Sequence, residues 1–237
     1  MLDVVYQDPY LVAIDKPPGL LVHRTGLDAG ETRFAMQLLR DQLGRHVWPV
    51  HRLDKGTSGL LLFALNANTA RLMGQAFESG NSLHKTYQAV VRGWPADDGF
   101  IDHPLRRMPD DARDAAGQRE LVQSAQTRFR TLARLTLPLP QGAYAHTRLA
   151  LVALQPLTGR RHQLRRHMKH IAHPIIGDAT HGKGPLNRAV ADLMGLQRLW
   201  LHAASLALPH PVSGQLLRLA APMPSEWALW DAFSIEP

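Results

Sequence analysis

The hydrophobic positions along the chain form short runs separated by turn-forming residues, a pattern that predicts many strands and few helices. The run Leu60–Leu65 is apolar throughout, which is typical of a strand buried on both faces. In His84–Trp94 the positions alternate, which predicts a strand with Tyr87 and Ala89 on one side. The other predicted strands are Val4–Tyr6, Leu11–Ile14, Leu20–His23, Thr127–Leu137, Ala145–Leu154, Leu199–Leu208 and Gln215–Leu219, with a strand-and-loop passage from Ile175 to Asp178.

Helical periodicity is confined to four segments, which begin at Thr32, Asn68, Arg160 and Ser225 and end at Gly44, Gly80, Ile171 and Phe233. Thr32 is a candidate N-cap, and Gly44 and Gly80 are expected to end the first two helices, because glycine adopts the left-handed C-terminal conformation. Asp97–Ser124 is polar and lacks apolar periodicity, which predicts a surface excursion, and His181–Pro185 predicts a basic loop. Antiparallel-looking strands with a few helices favour an α+β fold in one domain.

The composition excludes several classes of protein and of functional site. Hydrophobic residues make up 45% of the 237 residues and charged residues 20%, as in an ordinary globular protein. The absence of cysteine excludes disulfides, thiolate metal sites and thiol catalysis. Neither a run of membrane-spanning length nor a secretory leader is recognisable, so we expect a cytoplasmic protein.

The charge balance points to an anionic partner. Lys and Arg together number 27 against 20 for Asp and Glu, which gives a net charge of +7, and 22 of the 27 are Arg. Arg is better suited than Lys to bidentate contacts with phosphate, which favours nucleic acid as the partner. An Arg-rich genome would give the same bias, and composition alone leaves both explanations open.

One carboxylate, Asp54, stands among cations in the segment His51–Gly59. Its neighbours Arg52 and Lys55 favour the ionised form at neutral pH, and the glycines that follow permit a tight loop. The buried strand predicted directly after this loop would hold it rigid. An anion in this setting is a candidate nucleophile or general base, and a capped turn without chemistry is the alternative. Ser58 lacks the G-x-S-x-G context of a nucleophilic serine.

The densest basic segment is Arg160–His170. On one helix Arg161, Arg165 and Lys169 would share a side, and so many like charges without acids one turn away are destabilising unless an anion lies nearby. A solvated charged face is the alternative. The histidines of this region lack the spacing of zinc ligands, so we expect no metal site. Tyr87 is by default a core aromatic with a solvated hydroxyl, and facing a site it could stack on a base.

Taken together, these segments resemble the RluA-type pseudouridine synthases. His51-Arg52-Leu53-Asp54-x-x-Thr57-Ser58-Gly59 is similar to the family's signature. Asp15 stands where the family more often has Asn. The other matching segments, in the family's order, are Leu11–Gly19 with Val22–His23, Lys85–Gly93, Thr158–His167, His173–Asp178 and Leu201–Ala203. The resemblance covers nearly the whole chain and implies the family's catalytic fold, an α+β domain around a mixed, mostly antiparallel sheet.

The resemblance also implies roles for individual residues. Asp54 would be the catalytic carboxylate, Arg165 its partner, and Tyr87 the ring that stacks on the target uracil. Leu164 would form an apolar wall beside the base, which must be flipped out of its stack. The candidate RNA contacts are Arg52, Arg160, Arg161 and Arg166, with His23 and Arg24 at the rim. Isomerisation of uridine needs no redox step or group donor, so no cofactor and no metal are expected.

The finer pattern is most similar to the branch of the family that modifies uridine 65 of certain tRNAs. The segments that carry this similarity are Leu21–Arg24, Val50–Asp54, Leu164–His167 and Gly195–Leu199. We expect a monomer that consists of one catalytic domain, residues 1–237, without a separate N-terminal RNA-binding domain. An rRNA-modifying synthase of the same family, a non-catalytic RNA-binding protein and a metal-dependent hydrolase are the alternatives.

Overall fold

The computed structural model describes residues 1–24, 30–79, 83–108 and 121–235. It has the predicted α+β architecture, with one large mixed sheet, mostly antiparallel, and flanking helices. The helices are α1 (Ala35–Leu43), α2 (Ala67–Ser79), α3 (Gln163–His170), α4 (Gly184–Met194) and a 3₁₀ helix (Ser225–Phe233). None of the helices in the described ranges is both long and apolar enough to cross a membrane.

The strands of the central sheet are β1 (Asp3–Gln7), β2 (Leu11–Lys16), β3 (Trp48–Pro49), β4 (Ser58–Ala64), β5 (His84–Arg92), β6 (Asp98–Asp102), β9 (Gln126–Leu137), β10 (Thr147–Pro156), β11 (Leu201–Pro209), β12 (Leu216–Ala220) and β13 (Ser234–Ile235). The order across the sheet is β1-β2-β4-β11-β5-β10-β9-β13. In addition, β3 pairs with β4, β12 with β11, and β6 with β9. Strands β7 (Leu105–Arg106) and β8 (Val122–Gln123) form a separate pair. Strand β4 is buried at every position, as its unbroken apolar run predicts.

Strands β4 and β11 form the one parallel pair among the strands that the structure describes. Ser58 lies opposite His202, and Gly59 lies opposite Ala203. Gly59 has a φ of +103°, and a Cβ at this position would lie 2.3 Å from the Ala203 carbonyl oxygen. Only glycine fits so close to the neighbouring backbone. This close approach joins the N-terminal strands β1, β2 and β4 to the rest of the sheet through β11.

Most predicted strands and the general positions of the helices are confirmed, but two predicted helix starts are wrong. Helix α1 begins at Ala35 with Phe34 at its N-cap, not at Thr32, and ends as predicted with Gly44 in the left-handed conformation (φ 63°). Helix α3 begins at Gln163, not at Arg160. The residue before it, His162, is itself left-handed (φ 54°), which breaks the helical path. Arg161 therefore does not share a helix face with Arg165.

Four further predictions need correction. Leu20–His23 is not a strand, since only Leu21 forms an isolated bridge, and the passage from Ile175 is likewise one bridge followed by turns. The polar Asp97–Ser124 is not only a surface excursion, because β6 within it pairs with β9. Helix α4 follows the basic loop and was not predicted. The predicted end of α2 at Gly80 and residues 109–120 of the excursion lie outside the described residues.

Candidate active site

Asp54 lies in the loop between β3 and β4, where its side chain is 28% exposed. The Thr57 N–H donates to the Asp54 carbonyl oxygen (3.0 Å), which closes a tight turn directly before β4. Gly56 packs against the Leu199 side chain. The predicted arrangement, a rigid loop held by a buried strand, is therefore present.

A buried lysine holds this loop in place. Lys16 ends β2 and is fully buried, and its Nζ donates to the carbonyl oxygens of Pro17 (2.8 Å), Leu20 (2.8 Å) and Lys55 (3.3 Å). Burial lowers the pKa of Lys16 to about 7, whereas the charge of Asp54 opposes that shift. Three carbonyl acceptors match the three hydrogens of an ammonium group, so the geometry favours the charged form. The residue next to Asp54 is thus bound by a buried cation.

Arg165 connects Asp54 to a second carboxylate. From α3, its Nη1 donates to Asp54 Oδ2 (2.9 Å), while its Nε and Nη2 donate to the two oxygens of Asp178 (2.8 Å each). The Asp178 side chain is fully buried, and its Oδ1 also accepts from the N–H groups of Thr180 and His181 (2.9 Å each). A bidentate pair of this kind fixes the plane of the guanidinium. Arg165 therefore presents its third nitrogen, Nη1, to Asp54 in a fixed direction.

The charges of this triad stabilise one another. Burial disfavours the charge of Arg165, but the hydrogen bonds from its guanidinium to Asp178 and the negative charge of Asp54 raise its pKa above the ordinary value. Burial likewise opposes ionisation of Asp178, but the hydrogen bonds it accepts from Arg165 and His181 lower its pKa. Asp178 is consequently an anion that balances the positive charge of Arg165. The three side chains keep one net negative charge, and Asp54 is the carboxylate that faces solvent.

A histidine pair lies near the same Asp54 oxygen that Arg165 contacts. His162 Nε2 is 3.8 Å from Asp54 Oδ2, and His162 Nδ1 is 3.0 Å from His181 Nε2. Burial lowers the pKa of His162 to about 4, which the charge of Asp54 opposes. In the neutral pair, a proton on His162 Nε2 faces the Asp54 carboxylate, and His181 then donates to Nδ1. The left-handed backbone of His162 directs its ring to this position.

Tyr87 and Leu164 form the apolar side of the site. Tyr87, in β5, is half-buried between two hydrophobic clusters, one containing Leu53 and Ala203 and the other containing Leu164. Leu164 is itself buried in α3. Burial, with the nearby charge of Asp54, raises the pKa of Tyr87 well above its ordinary value, so the phenol stays protonated at neutral pH. The structure thus brings together four residues expected from the sequence, namely Asp54, Arg165, Tyr87 and Leu164.

The other predicted residues are more dispersed. Arg160 Nε donates to the Ser124 carbonyl oxygen (3.1 Å), and Arg166 Nη1 donates to the Arg106 carbonyl oxygen (2.9 Å). Arg166 thereby contacts β7, and Arg160 contacts the residue that follows β8. The remaining candidates lie near the surface, with Arg24 and Arg52 exposed and His23 and Arg161 half-buried.

Several polar residues of the site were given no role in it from the sequence, where the histidines were considered only as zinc ligands. Lys16, His162, Asp178 and His181 lie in recognisable motifs, yet their contacts depend on segments that are far apart in the chain. The signal that could have found them is a charged or polar residue inside an apolar environment, as with Lys16 after Leu11–Ile14. Within the described residues, no group of three or more His, Asp or Glu side chains could hold a metal ion.

Comparison with known proteins identifies the family. Residues 10–170 match the family model described as RNA pseudouridylate synthase. The chain belongs to the RNA pseudouridylate synthase family. This confirms the family indicated by the sequence motifs, and the matched region includes Asp54, Tyr87 and Arg165.

The chain is similar to pseudouridine synthases, in sequence and in structure, over almost its full length. The chain is 49% identical over 228 residues to tRNA pseudouridine synthase C of Haemophilus ducreyi, covering 96% of this chain and 93% of the relative. The protein of the same name from Vibrio cholerae gives the same values. Human RNA pseudouridylate synthase domain containing 1 is similar in structure, with a TM-score of 0.74, 26% identity and coverage of 99% of this chain and 88% of that one.

Proposed function

We propose that this protein is a tRNA pseudouridine synthase that converts uridine 65 of certain tRNAs to pseudouridine. The observation that carries the proposal is the Asp54 carboxylate, which Arg165 holds at 2.9 Å beside Tyr87 and at the edge of solvent. A non-catalytic RNA-binding module has no use for a carboxylate fixed among cations, because an anion repels phosphate. The family membership and the arrangement of the site support the same activity.

The reaction breaks the N1–C1′ bond of uridine, turns the base and joins C5 to C1′. One proton leaves C5, and one is gained at N1, so substrate and product are isomers. Asp54 can serve by attacking C1′, by attacking C6, or by taking the 2′ proton to give a glycal. Each of these roles needs an anion held at short range, and the hydrogen bond from Arg165 Nη1 to Asp54 Oδ2 holds the carboxylate in place.

The apolar side of the site suits a flipped uracil. We propose that the base leaves its stack and lies against the Tyr87 ring, with Leu164 beside it. The protonated phenol of Tyr87 is then a hydrogen-bond donor near the base. Exposed Arg24 and Arg52 are proposed to contact phosphates around this entrance, with His23 and Arg161 at its rim. Arg160 and Arg166 are proposed to contact the RNA backbone beside the segment that they hold.

The choice of tRNA rests on the relatives. The H. ducreyi and V. cholerae proteins, each 49% identical to this chain and 93% covered by it, are named tRNA pseudouridine synthase C. The position, uridine 65, is proposed from the similarity of segments such as Leu21–Arg24 and Gly195–Leu199 to that branch. Because tRNA is the proposed substrate, we also propose a cytoplasmic location.

The experiment is pseudouridine mapping of total tRNA and rRNA from a deletion strain after incubation with the purified protein. We expect one new pseudouridine in tRNA, at position 65, and none in a transcript that carries cytidine there. A new pseudouridine in 23S rRNA instead would assign the enzyme to an rRNA substrate. Absence of pseudouridine from both RNAs would contradict the proposed activity.

A further inference from the structure

A buried guanidinium lies behind the site and does not belong to the catalytic group described above. Arg198 is only 7% exposed, and its Nη2 donates to Ser58 Oγ (2.7 Å). Its Nη1 is paired with the Glu226 carboxylate. Because a buried charge is costly unless it is paired and hydrogen-bonded, these two contacts fix the position of the side chain.

Through Ser58, Arg198 contacts the chain where the loop that carries Asp54 ends. Arg198 can only donate, so the Ser58 oxygen accepts from it, and the Ser58 hydroxyl donates to His202 Nδ1 (2.9 Å). Ser58 is the first residue of β4, directly after the turn that Thr57 closes onto Asp54. The hydroxyl is therefore held on two sides at the point where the loop meets the sheet.

The backbone of Arg198 packs against Gly177, the residue before Asp178, and Asp178 in turn holds Arg165. Gly177 has a φ of +78°, and a Cβ there would lie 1.7 Å from the Arg198 carbonyl oxygen. Asp178, the next residue, holds Arg165 through its two carboxylate oxygens at 2.8 Å. The position of Asp178, and through it that of Arg165, therefore depends on the same short segment that carries Arg198.

The charge of Arg198 is balanced from the C-terminal 3₁₀ helix, to which Glu226 belongs. Burial lowers the pKa of Arg198, and the adjacent Glu226 carboxylate opposes this shift. The guanidinium carbon also lies 5.2 Å from the ring centre of Trp200 and 5.7 Å from that of Trp227, which are cation–π distances. The C-terminal helix therefore holds the guanidinium in place.

We propose that Arg198 is a positioning residue that sets the distance between Asp54 and Arg165. It acts on Asp54 through Ser58 and on Arg165 through the backbone contact with Gly177. This inference rests on the proposed function, in which that ion pair is the catalytic group. A displacement of about 1 Å at such a pair is enough to lower turnover strongly without altering RNA binding at the surface.

The test compares Ser58→Ala with Thr147→Ala in the full-length protein, using tritium release from tRNA labelled at uridine C5. Both variants remove a buried, hydrogen-bonded hydroxyl. The Thr147 hydroxyl lies away from the site, where its Oγ1 donates to the Leu139 carbonyl oxygen (2.7 Å). We expect Ser58→Ala to lower kcat at least tenfold with KM for tRNA unchanged within twofold. Thr147→Ala should lower Tm and keep wild-type kcat.

Arg198 contacts Ser58 through Nη2 and Glu226 through Nη1, and lysine offers one nitrogen in place of these two. Arg198→Lys should therefore show the same selective loss of kcat. Crystal structures of the wild type and of Ser58→Ala give a readout that does not depend on activity. We expect Arg165 Nη1 and Asp54 Oδ2 to lie beyond hydrogen-bonding distance in the variant. An unchanged ion pair in Ser58→Ala, or a kcat within twofold of wild type, overturns the inference. A wild-type enzyme without activity would overturn the proposed function, and the ion-pair distance would still decide the role of Arg198.

Discussion

At the residue scale, the site depends on how Arg165 divides its nitrogens between two carboxylates. Arg165 uses Nε and Nη2 on the buried Asp178 and has Nη1 left for Asp54, which stays 28% exposed. The sequence resemblance predicted the pairing of Arg165 with Asp54 across 111 residues, and the structure places the two in contact. Asp178 was not assigned a role, although it ends the matching segment His173–Asp178, because the sequence does not show which cation it contacts. A buried counter-charge becomes visible only when the fold is known.

The first prediction separates Arg165 from its neighbour Arg161. Arg165→Ala would leave the buried Asp178 without its counter-charge and cost about 3–5 kcal/mol of stability, so a loss of activity could reflect unfolding. Arg165→Lys keeps the charge, but one ammonium cannot bind both carboxylates as a guanidinium does. Steady-state kinetics should show a loss of kcat of at least tenfold for Arg165→Lys. Arg161→Ala should mainly raise KM for tRNA, and equal losses of kcat would point to general phosphate binding by both.

The second prediction concerns His162, whose ring faces Asp54 at 3.8 Å. Asn tolerates the left-handed backbone (φ 54°), so His162→Asn should keep the wild-type Tm within a few degrees. Removal of the imidazole should lower kcat about tenfold, since it withdraws a polar group adjacent to the reacting carboxylate. His162→Ala should also lose Tm, because Ala is strained in this conformation. A His162→Asn enzyme with wild-type kcat would show that the ring serves only the fold.

At the element scale, strong apolar runs were predicted well and weakly patterned segments were not. Strand β4 has an unbroken apolar run, and its burial followed from the sequence. Strand β6 contains Asp98 and Gly99, both unfavourable in strands, and it exists because it pairs with β9. Helix α4 begins with Gly184-Pro185, which in the sequence resembles a loop, although Pro is favourable in the first turn of a helix.

The third prediction tests the junction between β4 and β11. Gly59→Ala places a Cβ 2.3 Å from the Ala203 carbonyl oxygen at a φ of +103°, so the strands must separate. We expect a loss of roughly 3 kcal/mol or more in the free energy of unfolding, measured with urea. The control is Gly74→Ala within α2, where a Cβ meets nothing within 4 Å. That variant should gain about 0.5–1 kcal/mol, because Ala is the better helix former. Similar values for the two variants would refute the proposed close approach.

At the scale of the whole molecule, the site is assembled from distant parts of the chain. Asp54 precedes β4, Tyr87 lies in β5, and Arg165 lies in α3, and the order of strands in the central sheet brings them together. The pattern of apolar runs predicted an α+β fold but not this strand order, because periodicity carries no information on which strands pair. The family resemblance predicted that Asp54, Tyr87 and Arg165 belong to one site, but it did not predict the order of the strands either.

The fourth prediction is that acid destabilises the fold between pH 6.5 and 4. His51 Nε2 accepts a hydrogen bond from the Leu62 N–H (3.1 Å), and burial lowers the pKa of His51 to about 3 and that of His202 to about 4. These histidines gain their protons only on unfolding, so the unfolded state binds more protons and stability falls as the pH drops below 6.5. Each histidine contributes at most about 1.4 kcal/mol per pH unit to the free energy of unfolding.

Urea unfolding at several pH values measures this slope, which His202→Asn should reduce. A free energy of unfolding that does not fall below pH 6.5 would contradict the prediction.

The most direct test of the whole account is Asp54→Asn in a tritium-release assay on tRNA labelled at uridine C5, with tRNA affinity measured in parallel. The control is Asp41→Asn, which changes an exposed carboxylate paired with Arg40 on α1. We predict that Asp54→Asn folds and binds tRNA as the wild type does but releases no tritium and forms no pseudouridine, whereas Asp41→Asn stays fully active. Pseudouridine formation by Asp54→Asn at a rate near that of the wild type would contradict the assignment of Asp54 as the catalytic carboxylate.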